Sequence, residues 1–190
     1  MLGSGVRAVG RIVLLGMALG FGCSGGLHRE GQHQIDVMAS YGRPVNEIKG
    51  RAENAAVTVR YERFVRDRTA LMAGITPLRV YDRDNDRVYE VEFQVGGRYY
   101  PWEFHLGKLP IALFGETSGG VAWANQPNPP AGTEWNLTYE LGAGLEFQLS
   151  ERLFWMVGYR FRHLSNAKGQ VQKNPSQDDD QLFTGLSFSW

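Results

Sequence analysis

The chain has 190 residues, of which 43% are apolar and 21% are charged. This length suffices for one well-filled domain but is short for two. Twenty lysines and arginines balance 20 aspartates and glutamates. No basic field is therefore available to attract nucleic acid, and we expect no nucleic-acid partner.

The first 25 residues differ from the rest. Arg7 and Arg11 precede the apolar run IVLLGMALGFG, and the small residues CSGG follow it. A membrane-spanning helix would need about 20 apolar residues, so this pattern indicates an export signal. We predict a signal peptide over residues 1–25 and one domain over 26–190. The cleavage site is left open.

Cys23 is the only cysteine of the chain and lies at the end of this segment. The stretch LGFGC weakly resembles a bacterial lipoprotein processing box, and whether Cys23 carries a lipid stays open. The predicted domain has no cysteine pair, so it cannot form an internal disulfide.

The predicted domain shows no sustained helical spacing, whereas apolar and polar residues alternate with period two throughout. This predicts an all-β domain of eight strands, with Pro77 at a bulge or strand end because it lacks a ladder donor. The predicted strands are Ile35–Tyr41, Ala55–Tyr61, Thr69–Val80, Tyr89–Tyr99, Ile111–Trp123, Trp135–Leu149, Leu153–Ser165 and Asp180–Trp190.

The connections between these strands also alternate. VRDR and LSER are tight, whereas GRPVNEIKGRAE, NQPNPPAGTE and NAKGQVQKNPSQDD are long and polar. Outer-membrane barrels have short turns on the periplasmic side and long loops outside. One connection, YPWEFHLGKLP, is longer than this arrangement predicts.

Alternation alone fits either a membrane barrel or a soluble lipocalin-like barrel, because the two differ only in which face points inward. The polar face is rich in charged residues and glycine, which suits a narrow lumen. The apolar face carries Trp123 and Trp135 near the long loops and Trp155 and Trp190 near the short turns. Two tryptophan bands favour an eight-stranded antiparallel transmembrane β-barrel in the bacterial outer membrane.

The seventh predicted strand places two polar residues on its apolar face. Counting in twos from Trp155 leads to His163 and then Ser165. The seventh strand of such a barrel ends in the outer leaflet, where lipopolysaccharide is found. Histidine can activate a serine hydroxyl as a nucleophile, and an acid can orient the histidine.

The third member of this set is expected on the last strand. Counting back in twos from Trp190 leads to Asp180, with Asp178 on the same face as the reserve. If Ser165 lies opposite Asp180, their β-carbons are about 5 Å apart and His163 is a diagonal neighbour. Such a set would attack lipid esters.

The end of the chain resembles a known family. HLSNA on the penultimate strand, a loop containing NP, an acidic residue opening the last strand and an aromatic C-terminus are similar to the lipid A 3-O-deacylases, the PagL-like hydrolases of outer membranes. The resemblance is strongest over about the last forty residues. It implies Ser165 as nucleophile, His163 as base, a last-strand acid and Asn166 as an oxyanion donor. Family members often have glutamate where this chain has aspartate.

Three functions remain open from the sequence. The first is an outer-membrane serine esterase that removes the 3-linked acyl chain of lipid A. The others are a non-catalytic barrel that binds lipid or has a structural role, and a soluble carrier. In the two alternatives His163 and Ser165 are ordinary boundary residues or bind head groups. A homodimer is compatible with the sequence, and we expect no cofactor and no metal site.

Overall fold

A computed structural model describes residues 26–45, 51–82, 87–129, 132–166 and 176–190. The signal peptide predicted over residues 1–25, with Cys23, lies outside the described residues and stays a prediction. None of the described residues forms a helix long and apolar enough to cross a membrane.

The chain forms a closed antiparallel barrel in which each strand pairs with the next and the last pairs with the first. All eight predicted strands are present, most of them longer than predicted. Their bounds are β1 His33–Pro44, β2 Arg51–Arg66, β3 Thr69–Asp82, β4 Arg87–Leu106, β5 Leu109–Ala124, β6 Trp135–Gln148, β7 Leu153–Ser165 and β8 Ser176–Ser189.

The two ends of the barrel differ in their connections. One end, the turn end, carries the short connections 67–68, 107–108 and 149–152 together with the start of β1 and the end of β8. The opposite end, the loop end, carries the connections after β1, β3, β5 and β7. In an outer-membrane barrel the loop end faces outward from the cell.

Two local expectations were wrong. Pro77 lies inside β3, opposite Val91 of β4, without a register shift in the strand at that point. The segment YPWEFHLGKLP is not a long irregular connection, because β4 and β5 continue through it as a hairpin with a two-residue turn at Gly107 and Lys108. A register shift between Tyr99 and Trp102 marks the start of this extension.

The apolar face points outward and the polar face inward, as predicted. On β7 the exposed side chains Val157 and Tyr159 alternate with Arg160 and Arg162, which are fully buried in the lumen. The tryptophans of both predicted bands are exposed. A soluble carrier needs the opposite orientation in order to enclose an apolar ligand, so this geometry contradicts that alternative.

Inward-facing glycines make room for large side chains in the lumen. Gly144 of β6 and Gly158 of β7 are direct cross-strand partners. A β-carbon on Gly144 would lie 2.6 Å from the ring of Phe114, and one on Gly158 would lie 2.5 Å from the ring of Phe183. Both distances are far below van der Waals contact, so the two aromatic rings can pack there only because these positions are glycine.

The rest of the lumen is filled by paired charges. Arg98 lies 3.0 Å from carboxylate oxygens of both Asp36 and Glu62, and 2.8 Å from Glu116. Glu116 also accepts from Arg60 and Arg160, so its carboxylate is shared among three guanidinium groups. A buried charge is tolerated only when it is paired, and each of these carboxylates lies within ion-pair distance of a guanidinium group.

The segment before β1 closes the turn end. His28 is fully buried there, and its ring stacks on Tyr100 with centroids 3.7 Å apart. Its Nδ1 lies 3.1 Å from Glu103, and its Nε2 lies 3.6 Å from Glu146. Burial opposes protonation of His28, but Glu103 and Glu146 outweigh it and raise the pKa above its ordinary value of 6.5.

We predict that His28→Phe removes a pH-dependent part of the stability. Because the pKa of His28 is higher in the folded state, its protonation stabilises the fold fully below about pH 6.5. This contribution is lost as the pH rises through the folded-state pKa. The difference in unfolding midpoint between wild type and His28→Phe, measured in detergent micelles, should therefore shrink from pH 5.5 to pH 9. The exposed His105→Phe is the control, and an unchanged difference would contradict the prediction.

Candidate active site on the outer surface

The outward face of β7 carries His163 and Ser165 at its last two outward positions, at the loop end. Alternation along β7 sends the neighbouring Arg162 and Leu164 into the lumen, where both are buried. The side chain of His163 is 32% exposed. An imidazole and a hydroxyl thus stand two residues apart on the lipid-facing surface, as the sequence predicted.

The register of β8 differs from the expected one. Ser165 lies opposite Ser176, His163 lies opposite Asp178, and Asp180 lies opposite Phe161. The expected juxtaposition of Ser165 and Asp180 is therefore wrong by four residues along β8. Counting from the C-terminus gave the correct face of β8 but could not give the offset between the two strands.

The two aspartates consequently have different partners. Asp178, the reserve candidate, lies 2.6 Å from Nδ1 of His163. Asp180 instead accepts a hydrogen bond from the hydroxyl of Tyr159. An ionised carboxylate can only accept, so the His163–Asp178 bond places the ring proton on Nδ1 and leaves Nε2 free to take a proton. The structure brings His163 together with Asp178 rather than with Asp180.

An aromatic residue that the sequence analysis did not single out completes the surroundings of His163. Tyr139 of β6 lies directly opposite His163, with ring centroids 5.9 Å apart. His163 is therefore held between Tyr139 on one side and Asp178 on the other. The predicted sixth strand already placed Tyr139 on the outward face, but only the pairing of β6 with β7 shows which residue it contacts.

Asn166 follows Ser165 directly, just beyond the end of β7, and is 7% exposed. It thus lies next to the serine in the chain and is more buried than either His163 or Asp178. Within the described part of the chain, no group of three or more histidine, cysteine, aspartate or glutamate residues is arranged to hold a metal ion.

On the lumen side, β7 and β8 are also joined by a buried ion pair. Arg162 donates to Asp179 of β8 at 2.8 Å and to Glu92 of β4 at 2.6 Å, and it also contacts Glu90. Arg162 and Asp179 are direct cross-strand partners, one residue before His163 and one after Asp178. An ion pair inside the barrel and a histidine–aspartate pair outside it therefore fix the same register.

The sequence profile of one protein family, PagL, lipid A 3-O-deacylase, matches residues 54–187 of the chain. The chain belongs to this family. Membership implies lipid A 3-O-deacylation, which is an ester hydrolysis, and it confirms the resemblance found at the end of the sequence. A comparison with curated protein sequences finds no match.

Solved structures agree with the fold. The outer membrane enzyme PagL has a TM-score of 0.58 and 23% identity, covering 79% of this chain and 97% of that one. Neisserial surface protein A has a TM-score of 0.60 and 12% identity over 84% and 99%. OprG from Pseudomonas aeruginosa has a TM-score of 0.51 and 12% identity over 86% and 97%. The PagL-family chain is an outer-membrane β-barrel, as predicted.

We predict that Arg162→Met destabilises the barrel by about 3–5 kcal/mol, because it leaves buried carboxylates without their cation. The free energy of unfolding in urea, measured in detergent, tests this. Arg152→Met, in the exposed turn at the opposite end of β7, is the matched control. Equal unfolding free energies for the two variants would show that the buried cluster does not hold the hairpin.

Proposed function

We propose that the chain removes the 3-linked acyl chain of lipid A with Ser165 as nucleophile, His163 as general base and Asp178 as the acid that orients the histidine. The contact between His163 and Asp178 on the lipid-facing surface, one outward position from Ser165, carries this proposal. Asp178 replaces Asp180 as the preferred acid because Asp180 hydrogen-bonds Tyr159.

The proposed reaction has two halves. Nε2 of His163 takes the proton of the Ser165 hydroxyl while the hydroxyl oxygen of Ser165 attacks the ester carbonyl carbon. The tetrahedral intermediate then breaks its bond to the lipid A oxygen, which leaves with the proton held by His163. Water attacks the resulting acyl-serine with His163 again as base, and the fatty acid is released. No cofactor takes part in these steps.

The oxyanion formed in both halves needs hydrogen-bond donors aimed at it. Asn166 is the proposed source of such a donor because it adjoins Ser165. Its burial favours this role, since a donor shielded from water stabilises developing charge more strongly than an exposed one.

The position of the site matches the substrate. The β7–β8 pair reaches the loop end, which lies in the outer leaflet of an outer-membrane barrel. Lipid A is anchored in that leaflet by its acyl chains, so its ester groups lie at the depth of the strand ends. Outward-facing Leu137 and Phe161 flank the pair and present an apolar surface to those chains.

The hydrolytic proposal is tested by comparing lipid A from cells that express wild type or Ser165→Ala. Mass spectrometry should show loss of one ester-linked hydroxy fatty acid with wild type only, because the variant lacks the attacking oxygen. Equal amounts of folded barrel in the outer membrane are the control. Identical lipid A from the two strains would refute catalysis by Ser165 and favour the non-catalytic alternative.

The choice of acid is tested separately by Asp178→Asn and Asp180→Asn. The two variants remove one negative charge from the same strand and the same face, two residues apart. We expect Asp178→Asn to lower kcat on the order of 10³- to 10⁴-fold, because the histidine loses its orienting acceptor. Asp180→Asn should stay close to wild type. The reverse order of the two rates would reinstate Asp180.

A further inference from the structure

A groove of about 560 Å³ lies on the outer surface across β1 to β4. Its floor consists of small or compact side chains, and its wall towards the loop end carries two tyrosines and an arginine. The outward-facing residues that line it are Ala39, Ala55, Val57, Pro77, Val91, Arg79, Tyr81 and Tyr89.

The groove arises from the strand register. Tyr41, Ala55, Arg79 and Tyr89 form one row across the four strands, so the small side chain of Ala55 leaves a gap between large neighbours. Pro77 lies one outward position below Arg79 and has no N–H to donate. The surface is therefore indented in the outer half of the barrel, where the row of large side chains is interrupted.

Arg79 is the unusual member of this surface. Its guanidinium lies 4.9 Å from the ring centroid of Tyr81 and 5.8 Å from that of Tyr89, which is cation–π distance. Its Nε is buried and has no hydrogen-bond partner. Among the side chains that the structure describes, which do not include those of residues 82–87, no carboxylate forms an ion pair with Arg79.

Several other arginines of the barrel do have carboxylate partners. In the lumen, Arg98 and Arg162 each bind several. On the outer surface, Arg43 of β1 lies 3.5 Å from Glu53 of β2. A cation at the lipid boundary is costly without an anion beside it. Arg79 has no such anion among the described side chains, so an anion from the leaflet can bind there. The groove directly below it is apolar.

We propose that this groove is a second lipopolysaccharide-binding site, in which Arg79 binds a phosphate group of lipid A and the groove holds one of its acyl chains. The chemistry of the occupant follows from the surface: an anion at the level of the strand ends, joined to hydrocarbon directed towards the membrane centre. Lipid A combines both in the outer leaflet. Arginine suits phosphate because its planar fork can donate two parallel hydrogen bonds.

The second site is separate from the hydrolytic one. In the closed order of eight strands, β3 and β7 are four strands apart, so Arg79 and His163 lie on opposite sides of the barrel. A lipid bound at Arg79 cannot reach Ser165. The second site itself needs only the outer-membrane location of the barrel, and only the expected count of two bound lipid A molecules rests on the proposed function.

Native mass spectrometry of detergent-solubilised barrel with bisphosphorylated lipid A tests the site. In the Ser165→Ala background, which prevents turnover, we expect two lipid A molecules per barrel. Adding Arg79→Gln should weaken one of the two binding events about tenfold, which corresponds to the loss of about 1.4 kcal/mol from a charge-assisted hydrogen bond. Adding Arg43→Gln instead should leave both unchanged.

Two further measurements separate the parts of the proposal. Lipid A without phosphate groups should bind equally to the Arg79→Gln variant and its parent. Ala55→Leu, which fills the groove without changing charge, should also weaken the second binding event. Heat-modifiable mobility on gels confirms that each variant is folded, and Arg79→Gln with Ser165 intact should hydrolyse a short-chain ester at the wild-type rate.

Unchanged stoichiometry and affinity in folded Arg79→Gln and Ala55→Leu would overturn the proposal. So would equal loss of binding for phosphorylated and dephosphorylated lipid A. If the two variants change the oligomeric state of the barrel and leave lipid A binding intact, the groove is a contact between copies of the chain, and the lipid site is refuted.

Discussion

The pairing of buried charges in the lumen is the interaction on which the rest of this barrel depends. A narrow barrel with a polar interior must neutralise each charge that it encloses, because the alternative is an unpaired ion in a low-dielectric space. Arg162 meets this requirement by joining Asp179 of β8 to Glu92 of β4, across the barrel. The β7–β8 hairpin is thereby tied to the opposite wall as well as to its own neighbours.

The ion pair between Arg162 and Asp179 in the lumen also determines which residues meet on the outer surface, because the side chains of a strand alternate strictly between the two faces. Once Arg162 and Asp179 face each other inside, His163 and Asp178 must face each other outside. The orientation of the imidazole is therefore set by a charge pair that never contacts the membrane. A surface site on a lipid-facing wall gains rigidity in this way without a supporting layer of protein around it.

The sequence predicts which face of the barrel a side chain lies on, but it does not predict the register between neighbouring strands. Parity from Trp155 and Trp190 placed His163, Ser165, Asp178 and Asp180 on the outward face, since period-two alternation is a local property of each strand. The register between β7 and β8 depends on the length of the connection after Asn166 and on the ion pair between Arg162 and Asp179. The alternation of apolar and polar residues gives neither of these. The position of Pro77 inside β3 was not predicted for a related reason. A strand tolerates one residue without a backbone N–H donor when the pairing on either side of it keeps the register.

Several polar groups on the outward face lie in the outer half of the barrel, and their partners explain how these groups are tolerated. His163 has Asp178, Tyr159 has Asp180, and Arg43 has Glu53. A paired group loses little when lipid surrounds it, whereas a cation without a partner retains a strong field that attracts an anion. Burial in lipid therefore has different consequences on the two sides of the barrel. His163 already has Asp178 as its partner, whereas the Nε of Arg79 is buried without a hydrogen-bond acceptor.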